Sequence, residues 1–335
     1  MFALKTIDAH AGGGPLRLVI EGVPAPRGKT MRARTEWMAR HADQLRRVLM
    51  LEPRGHRDMT GAMLTEAVTA AAHAGLIFMN DTGFPPMSGH GVIAATTIAL
   101  ERGLVVLGGD GRRVTFDTVA GTVTARATTD DTGHRVTHVT LANVPSFVVQ
   151  AGVALRAEGR DVQADVAFGG AFYAVIDAES VGLGVEAAYL PALRRVGRAV
   201  AQALDAALTI VHPLDPHHHV CQGAIFTGPP HADDAHLRCL SVSASGEVGR
   251  SPSGTGMSAV MAVLDAMGLL GHHLRAHTFV AEGLLNTRFT GRVADRTVVG
   301  DIPAIVPEIE GSAWITGEQT LLVDQTDPLA LGVSL

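Results

Sequence analysis

The sequence contains few cysteines, few aromatic residues and no long apolar run. Its 335 residues include two cysteines, Cys221 and Cys239, too few for a disulfide framework, so we predict two reduced, partly buried thiols. Aromatic residues make up 4%, and no stretch reaches the roughly 18 apolar residues of a membrane helix. The amino-terminal residues lack the charged and apolar regions of a signal peptide. We therefore expect a cytoplasmic protein without membrane contact.

The charge of the chain argues against nucleic-acid binding, and its length predicts more than one domain. The net charge is −6 and the pI about 6.2, without a basic run or arginine-aromatic cluster, so no nucleic-acid partner is expected. Apolar residues make up 47% and charged residues 18%, which is typical of a packed globular protein. A chain of this length exceeds one hydrophobic core, and two domains with a cleft between them are predicted.

The two halves of the sequence share one order of elements: strands, a glycine-flanked serine, a buried helix and further strands. This order predicts an α+β fold of two similar domains. We place the boundary near residue 120, which gives an N-terminal lobe over 1–120 and a second lobe over 121–335. The helix over 189–208 and the final strand are expected to cross back, so that the C-terminal segment completes the first lobe.

Apolar periodicity predicts the individual elements. Glycines at 12–14 separate two strands and predict a hairpin at the start of the chain. Period-two patterns predict strands over 103–149, 171–177, 224–226 and 237–243. Helical spacing predicts helices over 30–50, 92–102, 189–208 and 258–269.

Two serine-glycine motifs each precede a predicted helix. The first is Met87-Ser88-Gly89-His90-Gly91, and the second runs from Ser251 to Gly256 with Ser253 at the equivalent place. Unpaired N–H groups and the positive end of a helix dipole favour a carboxylate or an ionising side chain there. Either serine alone also suits an ordinary N-cap, but the matched motifs in two halves favour a shared site for a small anion.

Short motifs are spread over nearly the whole chain. They are Asp8-Ala9-His10, Gly12-Gly13, Pro15-Leu16-Arg17, 52–56, 87–91, Gly169-Gly170, Phe172-Tyr173-Ala174, 250–256, 289–292, Pro307-Glu308 and 315–317. With these motifs the sequence resembles the proline racemase superfamily, in particular its trans-3-hydroxy-L-proline dehydratase and hydroxyproline epimerase branch. The resemblance implies two domains of diaminopimelate-epimerase type with the active site in the cleft between them. It implies an imino acid (hydroxyproline or proline) as substrate and neither a metal nor an organic cofactor, and it leaves open whether the chain forms a homodimer.

The resemblance also implies a role for each motif residue. In relatives the positions of Ser88 and Ser253 flank the substrate α-carbon and transfer protons. The carboxylate and amine are held by the remaining motif residues, here Gly89, His90, Gly254 and Thr255. Relatives usually carry an acid where this chain has Gly249, and commonly a glutamate where it has Gly14, so ammonium binding is expected to be weaker or differently arranged here.

Three consecutive histidines, His217, His218 and His219, allow two interpretations. They could indicate a metal site, but adjacent histidines lack the spacing of a preformed site, so a solvated loop is favoured. His218 is retained as a candidate substrate-binding residue, because relatives bring this region near the substrate.

The absence of cysteine at both serine positions favours one reaction. Racemases and epimerases of the superfamily use two cysteines, whose thiols ionise readily at a helix N-terminus, whereas a serine hydroxyl needs an adjacent base. Dehydration of trans-3-hydroxy-L-proline to pyrroline-2-carboxylate needs one base and one acid, and it makes the chain a carbon-oxygen lyase (hydro-lyase). Ser88 is expected at the α-carbon with His90 as helper or acid, and Ser253 is expected only to bind substrate or water. The alternatives are a hydroxyproline 2-epimerase or proline racemase, and a catalytically impaired imino-acid-binding paralogue.

Overall fold

The computed structural model describes residues 1–106, 112–270 and 278–333. The chain divides into two compact units, the first formed by Met1–Leu141 with Gly311–Leu335 and the second by Ala142–Glu310. The sequence placed this division near residue 120. The C-terminal segment belongs to the first unit, while the long helix predicted over 189–208 lies in the second.

The first unit contains eight strands that are hydrogen-bonded in one continuous order, and helices connect some of them along the chain. The strand order is β16-β1-β2-β3-β4-β5-β6-β7. The strands of this unit, numbered in chain order, are β1 (Phe2–Ala11), β2 (Gly14–Glu21), β3 (Thr60–Thr65), β4 (Ala74–Asn80), β5 (Arg113–Thr118), β6 (Gly121–Thr129), β7 (Val136–Ala142) and β16 (Ala313–Val323), and its helices are α1 (Met31–His41), α2 (Asp43–Met50) and α3 (Gly89–Glu101).

The second unit has the same number of described strands. Their order is β15-β14-β13-β12-β11-β10-β9-β8. The strands are β8 (Phe147–Ala157), β9 (Arg160–Phe168), β10 (Phe172–Asp177), β11 (Cys221–Gly228), β12 (Leu237–Ser243), β13 (Phe279–Glu282), β14 (Arg288–Val299) and β15 (Ile302–Gly311), and the helices are α4 (Leu190–Ala207) and α5 (Gly254–Ala266).

The two units repeat one sequence of strand pairings. From β16 to β6 the pairs run antiparallel, antiparallel, parallel, antiparallel, parallel and antiparallel. From β8 to β14 the same six senses recur. Each parallel pair needs a crossover, which α1–α2 and α3 supply in the first unit and α4 and α5 in the second. The predicted α+β fold of two similar domains is confirmed.

Several helix boundaries differ from the predicted ones. The helix predicted over 30–50 is two helices, because the chain leaves helical geometry at Ala42 (φ −141°). The helices predicted from 92 and from 258 begin earlier, at Gly89 and Gly254, since the preceding serine side chains cap them. Strands were predicted over 103–149, of which 107–111 lie outside the described residues.

The helices α3 and α5 pack into the core of their units. Ten residues of each are buried, as their high alanine, valine and isoleucine content predicts. Gly91 and Gly256 make this packing close, because a Cβ there would lie 2.7 Å from Phe78 Cε1 and 2.6 Å from Ile225 Cδ1 respectively. Each helix N-terminus is thereby held against its own sheet. Among the described helices, none has the length and apolar character required to cross a membrane.

Candidate active site

Ser88 caps helix α3 and contacts a histidine two residues later. Its backbone is extended (φ −141°, ψ 112°), and its Oγ accepts a hydrogen bond from the Gly91 N–H at 3.2 Å. His90 Nδ1 lies 3.3 Å from Ser88 Oγ. A neutral imidazole with an unprotonated Nδ1 would accept the hydroxyl hydrogen of Ser88, which is the arrangement that activates a serine.

His90 is held neutral by its surroundings. Burial lowers the pKa of His90 from 6.5 to about 4, and the backbone carbonyl of Pro15 partly opposes this shift. Among the described residues, His90 Nε2 is buried without a hydrogen-bond partner. In the tautomer that carries its proton on Nε2, Nδ1 is the acceptor that faces Ser88.

Gly14 provides the space for the His90 ring. It begins β2, and a Cβ at this position would lie 2.9 Å from His90 Cδ2 and 3.1 Å from Cγ, closer than carbon atoms approach without strain. The absence of a side chain at Gly14 therefore leaves room for the His90 ring at its observed position. Any larger residue must displace the ring that contacts Ser88.

Replacing Gly14 with alanine is expected to lower catalytic turnover by about 10- to 100-fold, because an ångström-scale displacement of a catalytic group has effects of this size. Gly83→Ala is the matched control: a Cβ at Gly83 meets nothing within 4 Å. Steady-state kinetics of both variants test the expectation. Full activity of the Gly14→Ala protein would show that the position of His90 does not matter.

Ser253 caps α5 in a backbone conformation that serine rarely adopts. Its φ is +63° and its ψ 119°, outside the regions that L-residues favour, and such strain costs about 1–3 kcal/mol. Its Oγ accepts a hydrogen bond from the Gly256 N–H at 3.1 Å. Ser88 makes the same cap without the strain, so the two serines are equivalent in position but not in backbone conformation.

Thr255 and Tyr173 continue the hydrogen-bonding group at Ser253. Thr255 Oγ1 lies 3.5 Å from Ser253 Oγ and 2.8 Å from the phenol oxygen of Tyr173. Thr255 is buried, with 5% of its surface exposed, and burial raises the pKa of Tyr173. Gly169, at the turn before β10, allows this approach, because a Cβ there would lie 2.2 Å from the Thr255 carbonyl oxygen.

Gly249, where the resemblance implies an acid, lies beside a serine of strand β12. Its N–H donates to the Ser241 carbonyl at 2.9 Å, and a Cβ at Gly249 would lie 2.1 Å from Ser241 Oγ. The Ser241 hydroxyl thus occupies the space that a side chain at 249 would enter. An aspartate could be accommodated only if Ser241 rotated or was replaced.

His218 lies in the loop before β11. Its ring packs edge-on against Phe168, 5.5 Å between centroids, and its Nε2 is 3.5 Å from Asp215 Oδ2. These contacts tie it to the loop and the end of β9, and its substrate role stays a prediction. Within 1–106, 112–270 and 278–333, no group of three or more His, Cys, Asp or Glu side chains is arranged to hold a metal ion.

Comparison with known proteins decides the family. The proline racemase family profile matches residues 6–334. The chain belongs to the proline racemase family. It is 39% identical to the trans-3-hydroxy-L-proline dehydratase of Bacillus cereus over 330 residues, and this alignment covers 98% of this chain and 97% of the relative. It is also 39% identical over 331 residues to a 3-hydroxyproline 2-epimerase of Burkholderia multivorans, with 98% and 97% covered.

A solved structure of the proline racemase family has the same fold. It is a hydroxyproline epimerase from Agrobacterium vitis with bound trans-4-OH-L-proline, with a TM-score of 0.89, 29% identity, and coverage of 100% of this chain and 97% of that one. Dehydratases and epimerases in this family are therefore similar to the chain over its full length. Overall sequence identity does not distinguish dehydration from epimerisation. The residues of the site have to distinguish them.

The two cysteines of this family member have thiols that burial keeps protonated. Both are free and buried, and burial raises the pKa of each thiol to about 12. Neither cysteine forms a disulfide, as predicted, but both are buried and not partly buried. Neither can supply a thiolate near neutral pH.

Three contributors to the site were not predicted as such from the sequence: Gly14 as the space for His90, Ser241 beside Gly249, and Tyr173 beside Thr255. Each depends on contacts between elements that are distant in the chain. One signal for Tyr173 was present, because it is one of two tyrosines and its strand alternates so that its neighbours Phe172 and Ala174 are buried.

Proposed function

We propose that the protein dehydrates trans-3-hydroxy-L-proline to pyrroline-2-carboxylate. The observation that carries the proposal is the contact between Ser88 Oγ and a neutral His90, 3.3 Å apart, which supplies one serine with a base. The resemblance in sequence to dehydratases over the full chain supports it.

In the proposed reaction Ser88 removes the α-proton and passes its own hydroxyl proton to His90. The C3–O bond then breaks, and the enamine product tautomerises to the cyclic imine. The substrate carboxylate is proposed to lie at the N-terminus of α3, near Gly89 and His90, where N–H groups favour anions. Binding roles for Gly254 and Thr255 stay predictions. The roles of His218 and Gly249, the homodimer and the cytoplasmic location stay predictions.

The same residues argue against symmetric racemisation. A two-base racemase needs groups of similar basicity on both faces of the α-carbon. Here Ser88 has an imidazole as partner, whereas Ser253 contacts only another hydroxyl among its described side-chain partners. A neutral hydroxyl is a poor base, so Ser88 can remove a proton far more readily than Ser253.

The test is a panel of proline and hydroxyproline isomers incubated with the protein in D₂O and followed by NMR. The proposal expects loss of water from trans-3-hydroxy-L-proline, with the imine detected by carbonyl trapping. Exchange and inversion at the α-carbon without water loss would favour an epimerase instead. Thermal stabilisation by these ligands without turnover would favour a binding paralogue.

The pH dependence should reflect the lowered pKa of His90. The base is active only when its imidazole is neutral, so kcat/KM is expected to fall as the pH drops through about 4 and to stay level between about pH 5 and 7. An unperturbed histidine, with a pKa of about 6.5, would instead lose roughly tenfold by about pH 5.5. Measuring kcat/KM across this range, with protein integrity checked by circular dichroism, separates the two cases.

A further inference from the structure

Three hydroxyl groups lie in a row at the start of α5. Ser253 Oγ is 3.5 Å from Thr255 Oγ1, and Thr255 Oγ1 is 2.8 Å from the Tyr173 phenol oxygen. All three belong to the second unit, with Tyr173 on β10. We call Ser253, Thr255 and Tyr173 the hydroxyl row.

The direction of the hydrogen bonds in the hydroxyl row follows from acidity. A phenol is a stronger acid than an aliphatic alcohol, so Tyr173 donates to Thr255 in preference to the reverse. Thr255, having accepted at its oxygen, has its own hydrogen to donate to Ser253. The raised pKa of Tyr173 keeps the phenol protonated at neutral pH, as a donor must be.

This direction leaves Ser253 with its hydrogen available. Its Oγ accepts one bond from the Gly256 N–H at 3.1 Å and one from Thr255, which together use both lone pairs. The remaining function of the hydroxyl is to donate its own hydrogen. Ser88 has the opposite arrangement, because His90 Nδ1 is placed to take the Ser88 hydrogen.

We propose that Ser253 is the proton donor to the departing C3 hydroxyl, and that Tyr173 is the positioning residue that sets this role through Thr255. The inference rests on the proposed dehydration and assigns Ser253 more than the substrate or water binding expected from the sequence. The equivalent serines of the two units thus have opposite roles, base at Ser88 and acid at Ser253.

The proton balance of the step is complete. Ser88 takes the α-proton while its own proton moves to His90. At the leaving group, the Ser253 O–H bond breaks and a new O–H bond forms to the leaving oxygen, which departs as water with the C3–O electron pair. Thr255 and Tyr173 keep their protons and hold the orientation of the Ser253 hydroxyl. His90 gains one proton and Ser253 loses one, and exchange with solvent restores both.

The test compares two leaving groups in the Tyr173→Phe variant, which keeps the ring and removes the hydroxyl. Trans-3-hydroxy-L-proline needs a proton on its leaving oxygen, whereas trans-3-fluoro-L-proline can release fluoride without one. We expect kcat for the hydroxy compound to fall at least about tenfold, with KM within about twofold of wild type. Turnover of the fluoro compound is expected to change less than about twofold, because no general acid is required.

Two further variants act as controls. Tyr189→Phe changes the second tyrosine of the sequence, which is 41% exposed, and should leave both substrates unaffected. Thr255→Val should reproduce the selective loss, and Thr255→Ser should restore most of the turnover because it returns the hydroxyl.

The outcomes distinguish this inference from the proposed function. Equal losses on both substrates in Tyr173→Phe would indicate a merely structural role and overturn the inference, as would unchanged turnover of the hydroxy compound. Wild-type protein that forms no imine from either compound would instead overturn the proposed dehydration. That result is seen in the wild type and cannot be confused with an effect confined to the variants.

Discussion

Ser88→Ala should lower kcat for dehydration by about 100- to 10,000-fold, the range that a positioned general base contributes. The variant removes the hydroxyl that contacts His90 Nδ1 at 3.3 Å and leaves the helix N–H groups that are proposed to bind the carboxylate. KM should therefore change little, since ground-state contacts remain. Steady-state kinetics on trans-3-hydroxy-L-proline measure both constants.

The control for Ser88→Ala has to account for a lost helix cap. Removing a serine cap costs about 0.5–2 kcal/mol of stability. Thr30→Ala removes the equivalent cap of α1 in the same unit, where Thr30 Oγ1 accepts from the Ala33 N–H at 3.1 Å. This variant should lose similar stability and keep its turnover. If Ser88→Ala retained full kcat, Ser88 could not be the base.

At Ser253, glycine and alanine substitutions should separate stability from activity. Both remove the hydroxyl, so both should lose activity. Glycine adopts a positive φ without strain, whereas alanine retains the φ of +63° and loses the cap. Glycine should consequently leave the protein more stable than alanine by about 2–4 kcal/mol, combining a cap difference near 1 with strain of about 1–3 kcal/mol.

The same pair of substitutions at Ser88 provides the reference for that experiment. The φ of Ser88 is −141°, so only the cap difference of about 1 kcal/mol should separate glycine from alanine there. The difference between the two sites isolates the strain at Ser253. Urea unfolding of the four variants gives the free energies, and equal glycine-alanine differences at the two sites would show that Ser253 is not strained.

The sequence was sufficient to predict the repeated order of elements and the two helix N-termini. Both follow from local signals: apolar periodicity and a serine among glycines. The helix starts were nevertheless placed three and four residues too late, at 92 and 258 instead of Gly89 and Gly254. Gly89 and Gly254 have low helix propensity, and their helical conformation is stabilised by the serine caps and by packing against the sheet.

The site features that could not be predicted depend on backbone conformation and on distant contacts. The positive φ of Ser253 is not signalled by its residue type, because serine rarely adopts this conformation. The neutrality of His90 depends on burial against Gly14, and the hydroxyl row depends on β10 lying beside the start of α5. A one-dimensional pattern carries no information on such proximity.

The burial of Cys221 and Cys239 has a consequence for how the protein tolerates its chemical surroundings. An enzyme with a catalytic thiolate is inactivated by alkylating reagents and peroxide, since both react with the ionised thiol. Here both thiols are buried and stay protonated, because burial raises their pKa values to about 12. The proposed reacting groups are oxygen and nitrogen atoms. Iodoacetamide should accordingly leave turnover intact, and no reductant should be needed to maintain it.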